Sequence, residues 1–156
     1  MPAEAVTKVQ KVNYRIIPYD KKYRDDMIFM VLEAKNALGR IPRLNEDLLD
    51  IPKNYLHTGD MFWLAIDESD RVIGCVGYSS ITGTQEATLH RLYVKAALKR
   101  RGIGSRLLLT VEAYLKKQNK TAVYVHLGGK EYFESHSFYP KHGYKLCGER
   151  RLKKSL

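Results

Sequence analysis

Hydrophobic and polar positions along this chain fall into two rhythms. A spacing of three and four recurs at Tyr23, Met27, Met30, Val31 and Ala34, and again at Ile103, Leu107, Leu108, Val111 and Leu115. These stripes predict two amphipathic helices, because residues three and four apart share a helix face. Asp20 stands where a cap would start the first helix, and Gly39 and Pro42 end it. The second is expected over 103–118. Alternating or continuous apolar runs predict strands at 12–19, 61–68, 71–81, 86–94 and 121–127. Ser69 and Asp70 join 61–68 to 71–81 as a hairpin, and Gly83 turns the chain into 86–94. Residues 44–56 read as one or two short helices interrupted at Pro52. A short helix around 130–139 and a last strand around 143–150 finish the pattern, while residues 1–10 read as loose.

The order is therefore a strand, helices, then β-β-β-α-β-α-β. Hairpins followed by a crossover unit give a mixed sheet of α/β or α+β type. A length of 156 residues suits one domain with its own core, taken here as 1–156.

Charge narrows the choice of partners. The chain has 27 Lys and Arg against 17 Asp and Glu, a net charge of +10. Such a surplus favours nucleic acid, anionic lipid or a phosphate-rich small molecule. No stretch approaches the roughly 18 apolar residues of a membrane span, and the first residues lack the apolar core of a signal peptide. Cys75 and Cys147 match no metal or redox spacing, which points to reduced thiols. His57, His126, His136 and His142 show no ligand spacing, so no metal is expected. A cytoplasmic protein with no membrane partner is the expectation.

Chemistry concentrates in Lys99-Arg100-Arg101-Gly102-Ile103-Gly104-Ser105-Arg106, between a predicted strand and a predicted helix. The first N–H groups of a helix lack internal partners, and the helix dipole makes that end positive. Glycines there let the backbone close on a phosphate. A dinucleotide fingerprint would need a third glycine where Leu107 stands, and a P-loop would need a following Gly-Lys-Ser/Thr. An ordinary basic turn, with its glycines serving helix packing, stays open on these residues alone.

Two motifs together go further. Lys99 to Gly104 follow Leu92-Tyr93-Val94, and Phe138-Tyr139-Pro140-Lys141-His142-Gly143-Tyr144 stands downstream. In both motifs, over roughly 12–150, the chain resembles the GNAT superfamily of acetyl-CoA-dependent N-acetyltransferases. The resemblance implies a central, mostly antiparallel sheet of six or seven strands with about four helices, splayed between 86–94 and 121–127. It implies acetyl-CoA as co-substrate. The pyrophosphate would lie on Lys99, Arg100, Arg101, Gly102, Ile103, Gly104 and Ser105, and the pantetheine along Leu92, Tyr93 and Val94. Lys99 stands where the family has Arg or Gln, Tyr132 where it often has Asn, and Pro140 directly follows Tyr139.

Acetyl transfer to an amine needs the neutral amine. An alkylamine of pKa about 10.4 is only roughly 0.04% neutral at pH 7, so a base helps and the leaving thiolate benefits from an acid. The resemblance makes Tyr139 the acid. Alternation puts Glu86, Thr88, His90, Leu92 and Val94 on one strand face. Thr88 stands where some members carry a glutamate base. Glu86 on the same face, His90 at the position of a relay histidine in the arylalkylamine branch, and ordered water remain as candidates.

The acceptor would enter between residues 20–60 and the start of 86–94, with Tyr55, Met61, Phe62 and Trp63 available as lining. Glu46, Asp47 and Asp50 read as a solvated helix face or as an attraction for a cationic acceptor. Arg150, Arg151, Lys153 and Lys154 read as a solvated basic end with some steering of anions. The expected function is direct acetyl transfer from acetyl-CoA to a primary amine. A non-catalytic acyl-CoA sensor and a basic nucleic-acid-binding module are the alternatives. No helix-turn-helix, zinc-finger or aromatic RNA-binding signature favours the last. A homodimer is left open.

Overall fold

The computed structural model describes residues 11–129 and 133–156. The expectation for residues 1–10 and the comparison made at Tyr132 lie outside this range. Seven strands form one sheet: β1 (Tyr14–Pro18), β2 (Phe62–Asp67), β3 (Val72–Ser80), β4 (Glu86–Val94), β5 (Ala122–His126), β6 (Lys145–Gly148) and β7 (Arg151–Ser155). Their spatial order is β1-β2-β3-β4-β5-β7-β6. Only β4 and β5 pair in parallel. This is the mixed sheet that the pattern predicts, mostly antiparallel as the resemblance implies. Its four α-helices among the described residues are α1 (Arg24–Ala37), α2 (Ile51–Asn54), α3 (Ile103–Lys117) and α4 (Phe133–Lys141).

The two predicted stripes are the two cores. Tyr23, Met27, Met30 and Val31 of the first stripe pack on Leu64, Ile66, Val72 and Cys75, on one face of the sheet. Ile103, Leu107, Leu108, Val111 and Leu115 pack on Val76, Ala87, Leu89, Val123 and Val125, on the other. Asp20 accepts from the Lys22 N–H and caps a 3-10 turn that runs straight into α1. Pro52 does not interrupt a helix. It lies in the first turn of α2, where a missing N–H removes no helical bond, and Asp50 caps that turn by accepting from the Lys53 N–H.

The chain end differs from expectation. In place of one strand over 143–150 there are two, β6 and β7, with Arg150 at φ 53° between them. Of the residues read as a solvated basic end, Arg151, Lys153 and Lys154 belong to β7, which lies between β5 and β6. Leu152 is the one apolar side chain of β7 and packs in the α3 core opposite Val125. The backbone of β5 needs a ladder partner, and that demand outweighs the polar composition of β7.

A buried polar cluster locks this end onto α3. Glu112 accepts from the Tyr144 hydroxyl at 2.8 Å and from Lys154 Nζ at 2.9 Å. Removing Glu112 would strand both donors, so Glu112→Ala should cost about 3 kcal/mol, the lower end of the range for a broken buried pair because Lys154 keeps some exposure. Urea unfolding followed by circular dichroism would measure it. A loss under about 0.5 kcal/mol would mean that the cluster does not hold the end in place.

Candidate active site

The site starts from a parallel pairing that stops early. β4 and β5 pair only from Glu86 to Thr88 against Ala122 to Tyr124, although β4 runs on to Val94. Beyond Thr88 the strands separate. A cavity of about 270 Å³ fills the gap, lined by Leu89, His90, Arg91, Leu92 and Tyr93 of β4, and by Val125, His126, Gly128, Ser135 and Tyr139 across it.

A β-bulge at Arg91 shapes the β4 wall. The register with β3 moves from Gly77 opposite His90 to Cys75 opposite Tyr93, and Arg91 takes φ 57°. This corrects the simple alternation. Leu89 packs toward α3, His90 rests against Tyr55 on the α1 side, and Arg91 also reaches the α1 side, to Asp47. Leu92 and Val94 then pack toward α3, so they lie on the face opposite His90. One extra residue in the strand inverts every later side chain.

The left-handed conformation at Arg91 is held from two sides. Its Nε lies 3.2 and 3.1 Å from the two Asp47 carboxylate oxygens, and its Nη2 lies 2.9 Å from Oδ1. The buried Cys75 thiol donates to the Arg91 carbonyl at 3.2 Å, and burial pushes that thiol up to about 12. Tyr55 donates to Asp47 at 2.6 Å. Burial works against ionisation of Asp47, but the hydrogen bonds from Arg91 and Tyr55 and the Arg91 charge outweigh it and hold the carboxyl below the ordinary carboxylate range. Asp47 is therefore neither a solvated charge nor an open attraction for a cation. Asp50 is a helix cap, and Glu46 alone of the three acids is exposed with no such role.

The candidate catalytic groups separate clearly. His90 and Tyr139 line the same cavity. Ser79 Oγ lies 2.7 Å from His90 Nε2. Burial, and then the Arg91 charge, lower the affinity of His90 for a proton, so its ring is neutral at neutral pH. Tyr139 is 7% exposed, and its hydroxyl has no hydrogen-bond partner among the described residues. Burial pushes that phenol upward, so it keeps its proton. Glu86 stands apart: it is at the paired end of β4, 3.9 Å from Lys153, and is not part of the cavity wall.

The glycine turn sits at one end of β4. Arg100 and Gly102 have φ 64° and 81°, and Gly102 forms the N-cap of α3. The first helical bond runs from the Arg106 N–H to the Gly102 carbonyl, so the N–H groups of Ile103, Gly104 and Ser105 precede the internal ladder. Ile103 is buried in the core, whereas a Cβ on Gly104 would stand 3.6 Å from Val94 and 3.7 Å from Phe138, ordinary contact distances. Lys99 pairs with Glu134 at 3.2 Å. His142 ties the turn to α4: its Nδ1–H donates to the Phe138 carbonyl at 3.0 Å, which leaves Nε2 to accept from Ser105 Oγ at 3.0 Å.

Sequence reasoning passed over Ser79, Asp47 as an anchor, Glu134 and His142. A search for metal spacing discards His142. Its position four residues after Phe138, at a helix end, was the available signal.

Comparison with known proteins agrees with this geometry. The family described as "Acetyltransferase (GNAT) family" matches residues 27–144. The rat (Rattus norvegicus) protein "N-acetyltransferase family 8 member 2" is 29% identical over 126 residues, 78% of this chain and 54% of its own length. The chain thus spans about half the length of that curated relative. A GNAT-family acetyltransferase from Staphylococcus aureus Mu50 shares the fold with a TM-score of 0.82 at 24% identity, over 92% of this chain and 99% of that one. The PaiA N-acetyltransferase from Thermoplasma acidophilum, solved with coenzyme A, shares it with a TM-score of 0.74 at 20% identity, over 92% and 99%.

The bulge anchor makes a pH-dependent prediction. A carboxyl held below its unfolded value of 3.8 contributes stability that is fully present above about pH 5 and lost as pH falls through the folded value. Asp47→Asn should lower stability by roughly 1–3 kcal/mol at pH 7, the scale of a charge-assisted hydrogen bond. Its deficit against the unmodified protein should shrink as pH drops below about 4. Denaturant titrations across that range would show it, and a deficit unchanged by pH would overturn the assignment of the charge.

Proposed function

The chain belongs to the acetyltransferase (GNAT) family, and on that premise we propose that it transfers an acetyl group from acetyl-CoA directly to a primary amine. One observation carries the reading. The edge of β4 that parts from β5 beyond Thr88 borders a cavity that has a neutral histidine on one wall and a protonated tyrosine on the other.

The edge of β4 that has parted from β5, at Leu92 and Val94 on either side of Tyr93, suits a ligand with amides of its own, which can pair as an added strand would. The N–H groups at the start of α3, with Lys99, Arg100 and Arg101 before them, suit the pyrophosphate. Lys99 contributes charge already shared with Glu134, so the backbone donors would do most of this holding. When bound, acetyl-CoA supplies the activated acetyl group.

The protein's own part is proton handling and placement. In the tautomer proposed, Nε2–H of His90 donates to Ser79 Oγ, 2.7 Å away, and Nδ1 is the basic nitrogen that takes the amine proton, directly or through water. Burial keeps His90 neutral and ready for that proton. Tyr139 holds its own proton for the leaving sulfur. Its ring is fixed edge-on between Phe138 and Tyr144, with centroids 5.1 and 5.5 Å away. Glu86 is too far along the paired strands to share this work. The helices that anchor Asp47 and Tyr55 flank the acceptor's side of the gap.

Two experiments test this. Calorimetric titration with acetyl-CoA should give micromolar binding, kept by Gly104→Ala and lost by Gly104→Glu. The alanine fits, and a negative charge suits a helix N-terminus, so once circular dichroism shows the glutamate variant folded, its loss of binding would report a blocked pyrophosphate site. No binding to the folded protein would overturn the reading. Once an amine is identified, kcat/KM should rise with pH through a midpoint below 6.5 and then level, because the base form of His90 must be neutral and its affinity for protons is lowered. His90→Gln should remove that limb, and Tyr139→Phe should lower kcat by about 10² or more with the limb intact. A limb that persists in His90→Gln would assign the base elsewhere.

A further inference from the structure

The face of β5 and β7 turned away from α3 carries a second set of residues beside the cavity. Val125 and Leu152 oppose each other and point into the α3 core, so their neighbours point the other way, toward the side of His90. These neighbours are the pairs Tyr124 with Lys153 and His126 with Arg151. His126 belongs to the cavity wall, and Arg151 stands directly beside it one strand further out.

Arg151 is held in place without being neutralised. Its Cζ lies 3.9 Å from the centroid of the Tyr124 ring, and Lys153 Nζ lies 5.3 Å from the same centroid. Stacking on a ring face fixes a guanidinium but uses none of its in-plane N–H donors. Its Nε is buried and has no hydrogen-bond partner, and the side chain makes no ion pair among the described residues. The buried Nε is closed to a ligand, whereas the terminal Nη1 and Nη2 groups are not buried and make no hydrogen bond among the described residues, so they hold the donors an incoming acceptor can reach. Lys153 is held chiefly by the neutral Tyr124 side chain, and its nearest carboxylate is Glu86, at 3.9 Å. Asp60, the other carboxylate near His90, is occupied by the Ser80 N–H at 3.1 Å, Ser80 Oγ at 2.7 Å and Thr58 Oγ1 at 3.2 Å. The local balance on this face is therefore cationic, with a planar fork matched to a carboxylate.

Resting on the acetyl-transfer reading above, we propose that Arg151, supported by Lys153, binds a carboxylate of the acceptor, so that the preferred substrate is a primary amine with a carboxylate about a dipeptide's length away. The spacing sets that length. His90 and Arg151 lie two strand intervals apart, roughly 10 Å for paired strands and more here because β4 and β5 part beyond Thr88. An extended dipeptide spans about 7 Å and leaves room for a hydrogen bond at each end. A single α-amino acid is too short to touch both. A polyamine would place a cation against two cations.

Matched acceptors test this. Thiol release from acetyl-CoA would be measured with diglycine, diglycinamide and spermidine. Diglycine should exceed diglycinamide in kcat/KM by about tenfold, the scale of one charge-assisted contact, through a lower KM at similar kcat. Arg151→Gln should collapse that acid-over-amide ratio toward one, and Arg151→Lys, which keeps the charge and loses the fork, should retain part of it. Circular dichroism would confirm that both variants are folded. Equal use of acid and amide, a preference for spermidine, or a ratio unchanged in a folded Arg151→Gln would overturn the inference and leave acetyl transfer standing. Use of none of the three by protein that binds acetyl-CoA would also overturn it. Only absent acetyl-CoA binding reaches the underlying reading.

Discussion

Arg91 sits in a left-handed backbone conformation within a strand near the middle of the sheet, and the Asp47 carboxylate holds it there. The rest of the site depends on this pair. A non-glycine residue in that region costs about 1–2 kcal/mol. Charge-assisted hydrogen bonds contribute roughly 1.5–3 kcal/mol, and the Cys75 thiol satisfies the displaced carbonyl. The balance favours the bulge. Its consequence is to turn His90 and Leu92 to opposite faces, so that the candidate base and the strand edge that leaves β5 come from the same short run of chain.

A second set of contacts fixes the opposite wall. Glu112 gathers Tyr144 and Lys154, and Tyr144 packs edge-on against Tyr139. His142 bridges Ser105 and Phe138, and Lys99 reaches Glu134. The glycine turn, α4 and the candidate acid are thus joined into one rigid group on the α3 side. The bulge group, with Asp47, Tyr55 and Ser79, is joined on the α1 side. The cavity is the seam between them. That arrangement brings His90 and Tyr139 to facing walls, and the environment of each favours the neutral form: His90 by burial and a nearby cation, Tyr139 by burial.

Charge is distributed by the same logic. The net charge of +10 says only that cations exceed anions. Lys99, Arg91 and Lys154 each face a carboxylate within 3.2 Å, whereas Arg151 stacks on Tyr124 without one among the described residues. Paired cations hold elements together, and a stacked, unpaired one retains its donors for a ligand. The difference is invisible in composition, since all four are basic residues in similarly polar stretches.

Much of the fold was legible in one dimension. The helical stripes at Met27 to Ala34 and Ile103 to Leu115 became the two cores because each stripe is apolar enough to require burial wherever it packs. The glycine turn was legible because Gly102 and Gly104 do local work at a helix start, and the two motifs pointed to the family that the match over residues 27–144 shows. Three matters were decided only by tertiary structure. The basic run at Arg151 to Ser155 became an inner strand because β5 lacked a backbone partner, a demand that its own side chains do not encode. The alternation along β4 failed at Arg91 because a carboxylate 44 positions away in sequence stabilises the extra residue. His90 and Tyr139 met because two strands that begin as a pair then part, and where they part depends on the bulge and on what packs behind each wall. Local periodicity is set by neighbours a few residues apart, which a sequence displays. Register, partnership and charge neutralisation are set by residues distant in the chain, and only the folded packing brings those together.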